Sequence, residues 1–404
     1  MKQQERRVRA VRLRGHGLIG ACSVAAAMAA TLIATPSTAA PAQSTAGAIT
    51  ASVVPQSTLS VMRAAALDRT TFGDLAASPT RMSASAASAA ASAPTEGSFV
   101  SYAGRVYRIV GGAPFYVSSW TPFGGKKKVT AISTAQWTSL RAYAKDGTFV
   151  RAMPGGAVYR IVAAAPFYVS TWTAFGGKQT TTDIDAADIT YAGHSAPWWG
   201  VYNFTLDWDG VVNGVKGRSS VFVKGGQTGR IYKMVGGAPI YVQSWTPYGS
   251  GHTTITVDQN AIDRAGQTGN YRFVLKHPLD GWVIKDEMRN DYATAGGASV
   301  YVATPSLVTG ITPSLVAWND INRTSNAAPF NNLLYRPLSP TYVHTIQNNK
   351  IYQVLNGVPH KLTSWSYVGG VKPYAEVDQV AVDKAGTGGV YNHLLPVGAP
   401  VAAP

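Results

Sequence analysis

The chain has 404 residues, a formal net charge of +15 and a single cysteine, Cys22. One cysteine excludes an internal disulfide framework, so stability has to come from buried apolar area. The basic residues are scattered, with Lys126-Lys127-Lys128 as the densest run, which argues against a nucleic-acid partner and suits a weak attraction to anionic polymers.

At the N-terminus, Lys2, Arg6, Arg7, Arg9, Arg12 and Arg14 precede the apolar run "LIGACSVAAAMAATLIA" and the small residues "TPSTAA". This order predicts a secretory signal peptide over residues 1–39, and with it a secreted, extracellular or cell-surface location. Cleavage there would leave about +10 and no cysteine on the mature chain. The apolar run is short and Ala-rich for a membrane span, and no later stretch is long and apolar enough to be one. Cys22 sits early in that run, whereas a lipid-attachment cysteine should close it. Residues 40–96 are dominated by Ala, Ser and Thr and predict a disordered linker, with a marginal helix over Leu59–Ala77.

From Gly97 the sequence repeats itself. Aligning "VYRIVGGAPFYVSSWTPFGG" with its later versions brings Tyr107, Tyr159, Tyr232, Tyr292 and Tyr352 into register. Four copies carry an aromatic ten residues before that tyrosine (Phe149, Phe222, Trp282, Tyr342), and the first carries Phe99 eight before. Five repeats follow, over 97–146, 147–218, 219–270, 271–337 and 338–404. Within one unit, three β-rich segments separated by Gly-Gly turns predict a meander. "S-W-x-x-F-G-G" then predicts one helical turn, and a further short strand follows. Asp258 and Asp378 are placed as helix N-caps, with Ser133 at that position in the first copy.

The predicted class is therefore mainly β with short helical turns, in five tandem repeats of about 50–70 residues. Four strands per repeat fit a β-propeller ring, and a linear array of small α+β modules is the alternative. The recurring aromatics Tyr107, Tyr116, Trp120 and Phe123 read as equivalent core positions. Asp263 and Asp383 read as solvated helix-face residues rather than catalytic acids. No zinc-protease, nucleophile-elbow or phosphate-loop motif occurs. "DWDGVVNG" lacks the oxygen alternation of a calcium loop, so neither a metal nor a cofactor is expected.

The spacing between aligned tyrosines is 73 from the second copy to the third, against 52 before it and 60 for each interval after. The extra segment, within 194–218, brings Trp198, Trp199, Tyr202 and Trp208 beside Asp207 and Asp209. Flat aromatics next to carboxylates suit sugar rings, and these six residues are the candidate ligand contacts.

The phrase "VYRIVGGAPFYVSSWTPFGG", together with "TTITVDQNAIDRAG", resembles tandem modules of secreted actinobacterial proteins, sometimes appended to cell-wall or polysaccharide hydrolases. The resemblance spans residues 97–404; the fourth copy departs from it, with Pro305 where the others have tryptophan. It implies an extracellular location and modular construction, and no particular reaction. The expected function is a secreted non-catalytic protein binding cell-wall or other extracellular polysaccharide. The alternative is a secreted hydrolase with its site in the insertion or in a central channel.

Overall fold

A computed structural model describes residues 92–194, 197–198, 200–207, 211–212, 215–216 and 220–401. The predicted signal peptide, nearly all of the predicted linker, and Trp199, Trp208 and Asp209 lie outside the described residues. No helix among the described residues is long and apolar enough to cross a membrane.

Each repeat folds into one small sheet. In the first, strands Phe99–Tyr102, Arg105–Val110 and Ala113–Tyr116 form the expected antiparallel meander. The fourth strand, Val129–Ala131, crosses back to pair parallel with the first, giving the order third-second-first-fourth. The second, third and fourth repeats have the same order. A parallel fourth strand distinguishes these sheets from the antiparallel blades of a propeller, and the sheets close into neither a propeller nor a barrel around a central channel among the described residues.

The crossover is the helical turn that the sequence predicts. Thr121–Phe123 forms one 3-10 turn ended by Gly124 in the left-handed region. Trp120 and Phe123 close over Phe99 at 5.3 and 5.1 Å, with the Arg108 guanidinium 5.2 Å from the Phe99 ring centre. The second repeat builds the same box from Phe149, Trp172, Phe175 and Arg160.

Side-chain alternation gives each of the first four sheets two buried faces. Val100, Tyr107 and Ile109 pack on Trp137 and Leu140 of their own repeat. On the opposite face, Val110, Ala113 and Phe115 pack against Val150, Tyr159 and Ile161 of the second repeat. The pattern recurs down the chain. Val162, Ala165 and Phe167 meet Val223, Tyr232 and Met234; Val235, Ala238 and Ile240 meet Ile284 and Tyr292; Ala295 and Val300 meet Val343, Tyr352 and Val354. Each junction thus holds its own core, and none of these cores joins the first repeat to the fifth. Fully burying one such side chain is worth about 1.5–3 kcal/mol.

Polar latches repeat at the same joints. Arg108 Nη1 donates to the Asp183 carbonyl at 2.6 Å, Arg160 Nη1 to that of Thr256 at 2.5 Å, and Lys233 Nζ to that of Leu315 at 2.7 Å. Asp185 and Asp258 cap their short helices through Ala187 N–H and Asn260 N–H, as expected of N-caps. The second oxygen of each reaches back across the junction. Asp185 accepts from Ser118 N–H, Ser118 Oγ and Ser119 N–H, and Asp258 from Ser170 N–H, Ser170 Oγ and Thr171 N–H. Asp378 likewise caps Val380 N–H and accepts from Thr304 N–H.

The last repeat ends the series. Its sheet is built from Thr341–Thr345, Ile351–Leu355, Val358–Leu362 and Ala375–Val377, and Gly398–Val401 adds a strand along the free edge. The position held by Tyr116, Tyr168, Tyr241 and Tyr301 in the other repeats is Lys361 here, and the position before it is His360. Lys361 lies opposite Tyr352 and so shares the face turned to the fourth repeat, while the other face carries Gln353, Leu355, Val358 and His360.

Candidate functional site

The segment after the second sheet contains a part that belongs to the repeat and a part that does not. In every repeat the chain beyond the short helix returns to close the Gly-Gly turn with two backbone hydrogen bonds four residues apart, or with one in the fifth. Arg141 and Lys145 N–H donate to Gly112 and Gly111, Leu275 and Leu279 to Gly237 and Gly236, Leu334 and Leu338 to Gly297 and Gly296, and Leu395 to Gly357. In the second repeat the donors are Tyr202 and Leu206, to Ala164 and Ala163. The turn admits little else: a Cβ on Gly111, which has φ +58°, would come within 2.6 Å of Thr148 Oγ1 and 2.9 Å of Lys145 N.

This register assigns the sequence candidates. Tyr202 is buried among Ala164, Leu206, Tyr143 and Phe204, and its hydroxyl pKa is pushed up to about 12 by that burial. Four residues before each closing donor stands an aromatic that docks on the third-strand tyrosine of the preceding repeat. Tyr271 meets Tyr168 at 5.2 Å, Phe330 meets Tyr241 at 5.1 Å, and Tyr391 meets Tyr301 at 5.2 Å. Trp198 is the member of this set in the second repeat, edge-on to Tyr116 at 5.0 Å and 4.8 Å from the Tyr191 ring. Trp198 and Tyr202 thus take repeat-packing positions.

Asp207 also has counterparts. Glu96 accepts from both Gly111 and Gly112 N–H, Asp146 from Ala163 N–H, and Asp280 from Gly296 N–H. Asp207 stands by Gly236 and Gly237 in the same way and is fully buried. Neither of its oxygens has a hydrogen bond of good geometry among the described residues. Burial pushes its pKa up to about 7, against the pull of the turn N–H groups and of Lys233. Lys233 is itself pulled down to about 8 by burial.

A carboxyl group whose pKa is raised on folding retains its proton longer in the native state. Its stabilising contribution is present below the unfolded value near 3.8 and is lost as pH rises toward 7. Asp207→Asn is therefore expected to raise the melting temperature at pH 7.5, by an amount corresponding to on the order of 4 kcal/mol at most. The gain should shrink steadily toward pH 4. Thermal melts of both chains across that range check it; a gain independent of pH would show that charge is not the cause.

What lies outside the repeat is the stretch 208–219. The turn carboxylate precedes the aligned tyrosine by 13 residues in the second repeat and 12 in the fourth, but by 25 in the third. Within this stretch Val211–Val212 and Val215–Lys216 pair antiparallel, with Asn-Gly between them in sequence. Trp208 and Asp209 begin the stretch. Of the six candidates, Trp198, Tyr202 and Asp207 take repeat positions at three different places, on Tyr116, at Ala164 and at Gly236–Gly237, and Trp199, Trp208 and Asp209 lie outside the described residues.

A second irregularity, not singled out by sequence motifs, lies between the third and fourth repeats. The cap position held by Asp185, Asp258 and Asp378 is Ala317 here. Ser133 in the first repeat also lacks a carboxylate, but no repeat precedes it for a carboxylate to reach. At Ala317 the preceding repeat is present, and a pocket of about 210 Å3 opens among Gln243, Ser244, Pro247, Ala317, Asn319 and Asp320. Comparing "VDQNAID" with "VAWNDI" shows the exchange once the copies are aligned on structure. Burial raises the Asp320 pKa to about 6, with Arg323 opposing and Glu287 adding to the rise.

No protein-family model matches the sequence, and no curated protein matches it. A solved structure of the periplasmic assembly from the ESX-5 inner membrane complex aligns over 77% of this chain and 94% of its own, at 10% identity and a TM-score of 0.13, which is too low to show a shared fold.

Proposed function

We propose that the chain is a secreted, non-catalytic repeat protein that binds cell-wall or other extracellular polysaccharide, and that residues 208–219 form the contact surface. The observation that carries this reading is the insertion itself. Trp198 and Tyr202 have counterparts in the other repeats, whereas Trp208 opens a stretch that the repeat architecture does not require. Insertions on repeat scaffolds are where binding surfaces arise. The basic, apolar N-terminus and the resemblance to modules of secreted proteins support an extracellular location.

Trp208→Ala is expected to reduce pulldown on purified cell walls roughly tenfold, as for an aromatic anchor at a binding surface. The melting temperature should be unchanged, because Trp208 follows the turn carboxylate and precedes the third sheet. Raising salt should remove only the weak non-specific attraction of the scattered basic residues. Wild-type protein that fails to bind walls at low salt would sink the proposal, as would a Trp208→Ala chain that unfolds.

A further inference from the structure

The segments that return to close the turn in the third and fifth repeats share a pattern, "GNYRFVL" over 269–275 and "GVYNHLL" over 389–395. Their packing coincides as well. Tyr271 and Tyr391 each dock on the preceding repeat's third-strand tyrosine at 5.2 Å, and Leu275 and Leu395 N–H each donate to a turn glycine carbonyl. Val274 and Leu394 each enter the core of their joint. One further residue of each segment packs on the preceding repeat's aligned tyrosine. In the third repeat it is Phe273, 6.0 Å from the Tyr159 ring at 88°. In the fifth it is His393, 5.9 Å from the Tyr292 ring at 87°. The residues at the corresponding place in the other two joints are Gly200 and Asn332, both buried. A titratable ring therefore stands at the fourth-to-fifth joint where the second-to-third joint has an apolar one.

The imidazole of His393 is only 1% exposed. Its Nδ1 donates to the Tyr335 carbonyl at 2.9 Å, and the two rings stand 5.0 Å apart. With the proton on Nδ1, Nε2 is an acceptor, and it is buried with no hydrogen-bond partner among the described residues. The charged and titratable groups around the ring give a second proton no support. Tyr335 and Arg336 lie on the fourth repeat's returning segment, and Arg336 repels a positive charge at His393. Tyr292 lies on the fourth sheet, and its hydroxyl donates to Asp286 Oδ2 at 3.1 Å. On the ring's own segment Tyr391 is docked on Tyr301, with Lys384 Nζ 5.4 Å from the Tyr391 ring centre. Protonation would put an N–H without an acceptor, and a positive charge, inside the joint, and burying either is costly. Burial accordingly pulls the His393 pKa below its ordinary value, with the Tyr335 carbonyl opposing and Arg336 adding to the fall.

We propose that the joint between the fourth and fifth repeats is an acid-sensitive clasp, in which proton uptake by His393 releases the fifth repeat while the first three stay packed. The neutral ring fills the place that Phe273 fills two repeats earlier and holds the joint closed. Because the ring is sealed, a proton reaches Nε2 only as the joint opens, so acid favours the open state. The contribution of His393 to the joint is fully present above the ordinary imidazole value of 6.5 and is lost progressively as pH falls below it. The core at this joint holds residues of the fourth and fifth repeats alone, which confines the opening to them.

Hydrogen exchange on the full chain at pH 7.5 and 5.0, corrected for intrinsic exchange rates, tests the clasp. Wild-type protection over Ile351–Leu362 should fall by up to about thirtyfold, the excess of charged over neutral imidazole at pH 5.0 for an ordinary value of 6.5. Protection over Arg105–Val110 and Ala157–Val162 should not fall. His393→Phe installs the side chain of the third repeat and should remove the effect. His393→Gln also lacks a titrating group and answers the same question should His393→Phe fail to fold. His277, half-buried at the preceding joint, and His344 and His360 of the fifth repeat are retained in both variants, so an acid effect of theirs would persist. A fall of the same size in either variant would overturn the proposal, as would undiminished wild-type protection at pH 5.0 or a fall shared by all five repeats.

Discussion

Removing residues 338–404 is expected to leave the first three repeats folded, with backbone hydrogen exchange at Tyr159, Ile161, Tyr232 and Met234 unchanged. The fourth repeat should lose protection over Asp291–Val302. The junction core that would be opened contains eleven buried residues, and only Ala295 and Val300 belong to the fourth repeat. That core stabilises its neighbours and nothing further away, because each sheet packs on the next and the stability of such an array is a sum of local and nearest-neighbour contributions. A closed ring would respond differently: losing one unit would expose two edges and lower protection everywhere. Loss of protection in the first two repeats would therefore overturn the serial packing described above.

Tyr159→Ala is expected to cost about 3–5 kcal/mol, the range for deleting a large buried aromatic. Tyr159 is 2% exposed at the joint of the first and second sheets, and it meets Tyr168 and Phe273 edge-on at 5.7 and 6.0 Å. Its hydroxyl donates to Asn270 Oδ1 at 2.8 Å, in the segment that follows the third repeat's helix. One side chain thus ties three consecutive repeats. Tyr159→Phe keeps the ring and removes only that hydrogen bond, so it should cost about 1 kcal/mol. Denaturant unfolding of the two variants separates the contributions. Equal losses would mean that the hydroxyl, rather than the packing, dominates.

The features that could be read from the sequence are those fixed by neighbours along the chain. The aligned tyrosines, the Gly-Gly turns, the 3-10 turn at Trp120–Phe123 and the capping role of Asp258 and Asp378 all depend on contacts within a few residues. The direction of the fourth strand does not. Thr254 pairs with Phe222 only after the chain has crossed over two strands, and nothing local distinguishes that from an antiparallel return. Register between distant segments was equally hidden. The shared text "GVYN" sets Tyr202 beside Tyr391, yet the closing hydrogen bonds of Tyr202 and Leu395 make Trp198 the counterpart of Tyr391. The candidate site shows the same limit: Trp198, Tyr202 and Asp207 look like an unrepeated cluster until their partners in other repeats are seen.

The lysine at 361 bears on how many molecules can join. A module that recognises its own successor can also recognise the successor's copy in another chain, and a translation of that kind never closes on itself. Its product is a filament. Here Lys361, opposite Tyr352, stands where the others present the ring on which a following repeat's aromatic docks, and the Gly398–Val401 strand is laid along the edge of the sheet. The rearward surface of the first sheet is occupied by the chain's own Trp137 and Leu140. A second copy would thus meet no docking ring at one end and a covered face at the other.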